Sequence, residues 1–278
     1  MKTSHRVSLV DAGLRVRVYA FLGLVASALV ACIAPSRERD DAMRFPAYPM
    51  CPGDPVDGET LGEGSLRAGP VMREESARES FRIVRRGCQF VFTGSQDWSL
   101  GATDLEVVYD EALNPLRAWK RSTSPGPLEA ARRTDIRAYD FSTDHVLLRR
   151  RSSLGGFESW RFRAPTPHVV IGPGRGLLSM WLRRAHLPVG GRVREAVLDI
   201  RETVEIVRDV TLIRLEDRDD AEMGQVRVYT IYGREPIFAD ENDVLVGDMM
   251  GMRPARLITT PVPPGINREG DVNPRGTP

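Results

Sequence analysis

The chain has 278 residues, of which 41% are hydrophobic and 28% are charged, as in an ordinary globular protein. Its formal net charge is only +1, so there is no electrostatic footprint for nucleic acid, and we expect no nucleic-acid partner. No apolar stretch after the N-terminal segment approaches the roughly twenty residues that a membrane-spanning helix needs.

The N-terminal segment 1–31 has the pattern of an export signal. Basic residues near its start precede an apolar run from Val18 to Ala31, which is short for a spanning helix. The run closes in Leu29-Val30-Ala31-Cys32. This stretch resembles the lipobox of bacterial lipoproteins, in which an aliphatic residue and two small or aliphatic residues precede a cysteine. The resemblance implies cleavage before Cys32 and lipid attachment to Cys32; an ordinary secretory signal or an uncleaved anchor is the alternative.

The residues that follow Cys32 bear on which membrane the lipid anchor would enter. They are Ile33 and Ala34, rather than the Asp that retains proteobacterial lipoproteins at the inner membrane. In a host that sorts in this way, the resemblance implies an outer-membrane anchor with the protein on the periplasmic face. The membrane is therefore an expected partner, through the N-terminal lipid.

Residues 32–77 are rich in Pro, Gly and charge and lack an alternating apolar pattern, which predicts a flexible tether. Two further cysteines, Cys51 and Cys88, would lie in an oxidising compartment if the chain is exported. We expect a disulfide between them, and two free thiols are the alternative. The absence of a CxxC motif gives no support to zinc binding or thioredoxin-type chemistry.

Alternation of apolar and polar residues dominates residues 78–258 and predicts an antiparallel β domain with one face on a core. Such a sheet must cover its apolar face, and it can do so by curling into a half-barrel. Residues 259–278 are again rich in Pro and Gly and predict a disordered tail. The predicted fold class is mainly β, with one short amphipathic helix. The strands are expected at 81–84, 89–92, 105–109, 116–120, 136–139, 146–148, 157–162, 168–171, 193–200, 203–215, 225–232, 236–239 and 244–246.

The segment Leu177–Leu187 breaks the alternation and predicts the helix. Its apolar face includes Leu178, Trp181 and Leu182. We expect this face to pack across the long strands, to close one end of the domain and to line a ligand pocket. Long strands after a short helix and a Leu-Pro-Val-Gly-Gly step resemble, over about Ser80 to Met252, the half-barrel lipoprotein-carrier proteins of the periplasm. The resemblance implies a concave apolar pocket and a lipid ligand, and no functional residue is carried over from it.

A glycine loop precedes the helix. It lies between a predicted strand and the helix N-terminus, where a phosphate can bind, with Gly174, Arg175 and Gly176 as the contacts. The Lys-Ser/Thr ending of a P-loop is missing, so a tight connection is the stronger alternative.

Nothing in the sequence combines a nucleophile, a base and an orienting group, and the histidines lack metal-ligand spacing. We therefore expect no catalytic residue, no metal and no cofactor. The favoured interpretation is a non-enzymatic envelope lipoprotein that binds an apolar or amphipathic ligand in a half-barrel. The alternative is a scaffold or assembly partner of an envelope complex, which uses an exposed strand edge to hold another envelope protein.

Overall fold

The structure is a computed structural model, and it describes residues 58–69, 77–99, 101–125, 133–153, 155–163, 168–201, 205–231, 236–249 and 251–259. The predicted signal segment 1–31, Cys32 and Cys51 lie outside the described residues. So do most of the predicted tether and, from residue 260, the predicted tail. All described residues belong to one compact unit.

Most of the first sheet is a meander in which consecutive strands pair as hairpins. Its nine strands follow the order β16-β1-β2-β3-β4-β5-β6-β7-β8, and every pair in it is antiparallel. The strands are β1 (Glu59–Ala68), β2 (Arg78–Arg86), β3 (Gln89–Trp98), β4 (Gly101–Tyr109), β5 (Pro115–Ser124), β6 (Arg133–Phe141), β7 (His145–Ser152), β8 (Phe157–Arg163) and β16 (Met252–Thr259).

The second sheet has seven strands and covers one face of the first. Its order is β15-β14-β13-β11-β10-β9, with β12 paired to β13. The strands are β9 (His168–Ile171), β10 (Arg192–Asp199), β11 (Ile206–Arg214), β12 (Arg218–Asp220), β13 (Gly224–Ile231), β14 (Ile237–Ala239) and β15 (Leu245–Asp248). All its pairs are antiparallel except β9 with β10, which is parallel.

One core fills the space between the sheets. We call the face of the first sheet that meets this core its inner face. Inward residues such as Phe92, Val107 and Leu148 are fully buried there, and alternate residues face outward. A smaller buried cluster of Trp119, Ile136 and Ala138 lies on the outer face. The predicted fold class is confirmed: the protein is mainly β, with a curled half-barrel and one short helix.

The helix, α1 (Leu178–Ala185), follows a 3-10 turn over Arg175–Leu177. It ends at His186, whose φ of 37° is left-handed and whose N–H donates to the Leu182 carbonyl. Trp181 and Leu182 are buried in the main core, and Leu178 is half-buried against it. The helix therefore packs its apolar face into the core.

β1 lies inside the segment predicted as a tether, so the start of the β domain at residue 78 was placed too late. The alternation in β1 is concealed because glycines occupy inward positions. A Cβ on Gly62 would approach the Val244 side chain to 3.3 Å, which leaves no room for a larger residue.

β16 was missed for a different reason: Pro254 interrupts it, and a proline is tolerated because β16 forms the edge of the sheet. β12 was missed as well, because it lies in the acidic segment between the predicted strands 203–215 and 225–232, and such a segment is typical of a turn.

Candidate functional site at the polar end of the inner face

The register of the first sheet places inward side chains in rows that run across the strands, because directly paired residues share a face. One row, which we call the polar row, crosses β2 to β7 near the ends of these strands. Each of its members is paired with the next. The polar row consists of Glu79, Gln96, Thr103, Ser122, Asp135 and Ser152.

Of the next two rows, the first mixes apolar with charged side chains and the second is apolar and aromatic. The adjacent row contains Phe81, Gly94, Leu105, Lys120, Arg137, Arg150 and Glu158. The row beyond it contains Ile83, Phe92, Val107, Ala118, Tyr139, Leu148 and Trp160. The inner face is thus graded from polar to apolar over the length of a few residues.

Most of the polar row is partly open to solvent, whereas the apolar row is buried from Ile83 to Leu148 and exposes only Trp160, at the sheet edge. Gln96, Thr103, Ser122 and Asp135 are half-buried. The hydroxyls of Thr103 and Ser122 lie 3.3 Å apart, and Gln96 donates to the Pro173 carbonyl over 3.1 Å. Solvent therefore reaches hydroxyl, amide and carboxylate groups at this end of the inner face.

Lys120 is the least expected side chain at this end. It is only 3% exposed, and its Nζ donates to the Ile200 carbonyl over 2.5 Å. Burial, reinforced by the nearby charge of Arg137, lowers the pKa of Lys120 from 10.5 to about 8. The amine thus holds the end of β10 against β5.

Arg137 connects three polar groups beside Lys120. Its side chain is 1% exposed, and it donates to Glu205 over 2.5 Å and to Asp135 over 2.8 Å. Tyr139 donates its hydroxyl to the same Glu205 oxygen over 2.9 Å. Burial alone would raise the pKa of Asp135, but hydrogen bonds from Arg150 and Arg137 and their charges bring it below its ordinary value. This network joins β6 to the residue that precedes β11.

A second carboxylate, Asp199, lies at the same end of β10 and is almost fully buried. It accepts hydrogen bonds from Arg201 over 2.6 and 2.9 Å and from Arg208 over 2.9 Å. Burial would raise its pKa, but these arginines lower it. Asp199 therefore stays ionised and fixes the backbone where β10 ends.

The loop predicted as an anion site is already occupied by a carboxyl group of the chain itself. Glu79, 2% exposed, accepts the backbone N–H groups of Arg175 and Gly176 over 2.9 and 2.5 Å. Burial raises the pKa of Glu79 to about 7, although both hydrogen bonds oppose the rise. The Arg175 side chain pairs with buried Asp248 at 2.5 Å. Gly174 lies beside Glu79, since a Cβ built on it would stand 3.4 Å from the carboxyl oxygen. The structure thus provides an internal carboxylate for the predicted phosphate position.

The residues predicted to line a ligand pocket are core residues. Trp181 and Leu182 are fully buried, and the indole Nε1 of Trp181 donates to Glu195 over 2.5 Å. They lie together with half-buried Leu178, as the helical spacing predicts. Their role as a ligand pocket stays a prediction.

Cys88 forms the turn between β2 and β3 together with Gly87, whose φ of 61° suits a two-residue hairpin turn. Cys88 is disulfide-bonded. Its partner lies outside the described residues, so the pairing with Cys51 stays a prediction, as does lipid attachment at Cys32.

The acidic turn after β14 holds itself together. Asp240 accepts hydrogen bonds from the backbone N–H groups of Asn242 and Val244. Buried Asp243 accepts hydrogen bonds from the Arg227 side chain over 2.8 Å and from the Tyr229 hydroxyl over 2.6 Å. In the part of the chain that the structure describes, no group of three or more His, Cys, Asp or Glu side chains could hold a metal ion.

Sequence reasoning missed Glu79, Lys120 and Arg137. The signal was present in the phase of the strands, because each charged residue lies two positions from an inward apolar or aromatic residue. Lys120 follows Ala118 by two, and Arg137 precedes Tyr139 by two. A charged residue at an inward position indicates a buried polar contact.

Comparison with known proteins gives little to place beside this geometry. No family model matches the chain, and no curated protein matches it. Among solved structures, the chain is similar to a DUF1089 family protein from Pseudomonas aeruginosa, with 15% sequence identity and a TM-score of 0.38. That match covers 65% of this chain and 93% of the other. Within the described ranges, no helix is both long enough and apolar enough to cross a bilayer.

Proposed function

We propose that this protein is an outer-membrane lipoprotein, anchored through lipid on Cys32 and facing the periplasm. Its β domain is a non-enzymatic binding module for an amphipathic ligand. The anchor rests on the lipobox resemblance of Leu29-Val30-Ala31-Cys32 alone.

The observation that supports ligand binding is the gradient on the inner face. A polar headgroup needs hydrogen-bonding groups that solvent can reach, and Thr103, Ser122 and Gln96 offer them. Leu105 and Val107 lie one and two rows away but are buried in the core, so an apolar portion would have to enter between the two sheets. The ligand headgroup would therefore bind over the polar row.

The charged groups near this site favour binding over catalysis. Lys120 donates to a backbone carbonyl, and Glu205 accepts from both Arg137 and Tyr139. Perturbed pKa values often mark catalytic groups, but a fully satisfied network also perturbs them. These contacts hold the β10–β11 hairpin against the inner face, so they give the site rigidity.

The test is ligand retention by the full-length chain extracted in mild detergent. Native mass spectrometry of the wild type should show a co-purifying amphipathic molecule. The double variant Thr103→Val, Ser122→Ala removes both hydroxyls without adding volume, and it should retain several-fold less.

Thr93→Val is the matched control, because Thr93 is exposed on the outer face of β3 and should leave retention unchanged. A wild type that carries no ligand through repeated extractions contradicts the proposal. So does equal retention by the double variant and the control.

A specific observation favours a second function, the assembly role expected from an exposed edge. β8 lies at the edge of the first sheet and exposes two aromatic side chains, Phe157 at 61% and Trp160 at 37%. A partner could extend the sheet by pairing with β8.

A further inference from the structure

β8 offers an uninterrupted template for one more strand. Among the strands that the structure describes, none pairs with the side of β8 opposite to β7. Natural sheet edges are commonly blocked by proline, a bulge or charged side chains, especially lysine. β8 carries Glu158, Arg161 and Arg163, but it contains no proline or lysine and pairs with β7 without a register shift from Arg163 to Phe157.

Both faces of this edge carry an exposed aromatic side chain. Trp160 pairs with buried Leu148 and therefore belongs to the inner face. Phe157 pairs with Arg151 and belongs to the outer face. A strand added to β8 would cover apolar surface on both faces.

β8 can pair antiparallel with β8 of a second copy only in certain registers. Two antiparallel strands in one continuous sheet are related by a two-fold axis normal to the sheet, so the residue on the axis faces its own copy. Near the middle of β8 the axis can pass through Ser159, Trp160 or Arg161.

The three registers differ in what they bring together. An axis through Arg161 sets two guanidinium groups against each other, which is unfavourable. An axis through Ser159 leaves Phe162 and Arg163 opposite the glycines that precede the strand. An axis through Trp160 pairs all seven residues of β8 and places Phe157 opposite Arg163 twice, as cation–π contacts.

The register through Trp160 has two further merits. It sets the two Trp160 side chains against each other on the inner face, and aromatic cross-strand pairs are stabilising. It also creates no directly opposed like charges, since Glu158 meets Phe162 and Ser159 meets Arg161. Both exposed aromatic residues are then covered.

We propose that two copies of this chain pair β8 with β8, antiparallel, about a two-fold axis through Trp160. This inference rests on the second candidate function and names its partner as a second copy of the chain. It does not depend on ligand binding at the polar row.

The first test replaces Trp160, the residue on the axis, by a charged residue of either sign. Light scattering then measures the mass of the full-length chain in mild detergent. The wild type should have twice the protomer mass. Trp160→Glu and Trp160→Arg each place like charges opposite each other and remove a central aromatic, so each should weaken the dimer by about 30-fold or more.

An equimolar mixture of these two variants should recover the dimer, because opposite charges then meet. A variant that failed to fold would not be rescued by mixing. Met249→Glu, at an exposed residue in the turn after β15, should remain dimeric.

The second test reads the register through cysteine cross-linking. In the register proposed, Ser159 faces Arg161 of the other copy, so the double variant Ser159→Cys, Arg161→Cys should form a covalent dimer under mild oxidation. Neither single variant should do so efficiently.

Three results would overturn the proposal: a monomeric wild type, no recovery on mixing, or cross-linking of Ser159→Cys alone. Ligand retention gives a separate readout. The Thr103→Val, Ser122→Ala variant should lose ligand and still dimerise, so failure of one proposal is distinguishable from failure of the other.

Discussion

The amine of Lys120 donates to the backbone carbonyl of Ile200 over 2.5 Å, and the contact joins the first sheet to the end of β10. A buried ammonium bonded to a carbonyl rather than to a carboxylate has no full counter-charge in direct contact. Glu205, Asp135 and Asp199 act on it only through space, and Arg137 opposes them. The lowered pKa of Lys120 follows from this arrangement, and it can be measured.

Lys120 should titrate near pH 8. Lysine occurs only at positions 2 and 120, so after signal cleavage a lysine-specific isotope label would report this amine alone. Its NMR signal should show a midpoint of about 8 rather than 10.5. A midpoint at the ordinary value would mean that the amine is solvated and that the contact with Ile200 is wrong.

The free energy of unfolding should depend on pH because of the lowered pKa of Lys120. The folded-state pKa of about 8 lies below the unfolded value of 10.5, so the unfolded chain binds more protons between these pH values. The free energy of unfolding should therefore rise from pH 8 to 10.5, relative to Lys120→Met, by on the order of 3 kcal/mol. Parallel pH profiles for wild type and variant would contradict this expectation.

Glu79 predicts the opposite trend at lower pH. Its folded-state pKa of about 7 lies above the unfolded value of 4.5, so the folded protein binds more protons between them. The stability contributed by protonated Glu79 is present below pH 4.5 and is lost as the pH rises towards 7. Relative to Glu79→Gln, the wild type should lose on the order of 3 kcal/mol over this range in chemical denaturation. Thr93→Val, which changes an exposed residue of β3 and no titratable group, should keep the pH profile of the wild type.

The buried pair of Arg137 and Glu205 should be strongly coupled. Arg137→Met leaves buried Glu205 with the Tyr139 hydroxyl and should cost about 3–5 kcal/mol, whereas Glu205→Gln leaves Arg137 paired with Asp135 and should cost less. The double variant should cost clearly less than the two single costs added together. The exposed pair of Arg194 and Asp209 provides the comparison, with an expected coupling below about 1 kcal/mol. Additive effects at Arg137 and Glu205 would show that the two are not in contact.

Peptide mapping under non-reducing conditions should find Cys88 linked to Cys51. On the loop-closure model, loss of this bridge would cost roughly 3 to 4 kcal/mol of stability. A link from Cys88 to Cys32 would contradict both this pairing and the lipid anchor, because a lipidated sulfur cannot form a disulfide.

The lipid anchor has its own test. Replacing Cys32 with Ser should abolish lipidation and release the protein from the membrane fraction. A Cys32→Ser protein that stays membrane-bound and is fully processed would exclude lipid anchoring. Wild-type protein from the same fractionation provides the control.

Much of the strand pattern was predictable because inward residues such as Phe92, Val107 and Leu148 alternate strictly with outward ones. The helix was predictable because Trp181 and Leu182 follow Leu178 by three and four residues. β1 was not, because Gly62 and Gly64 conceal its inward phase, and the parallel pairing of β9 with β10 carries no local signal. The polar network was not predictable either, since Arg137 and Glu205 are 68 residues apart and only the docking of the two sheets brings them together.

The edge strand β16 has a consequence for the order in which the protein folds. Strands β1 to β8 pair with their neighbours in sequence, so each hairpin closes a short loop. The pairing of Gly62 with Thr259 instead joins the two extremes of the domain, and its loop-closure entropy is much larger. The meander can form early, while the pairing of β16 with β1 comes late. Until then β1 is the edge of this sheet, and a chain truncated before Met252 would expose β1 in place of the proline-containing β16.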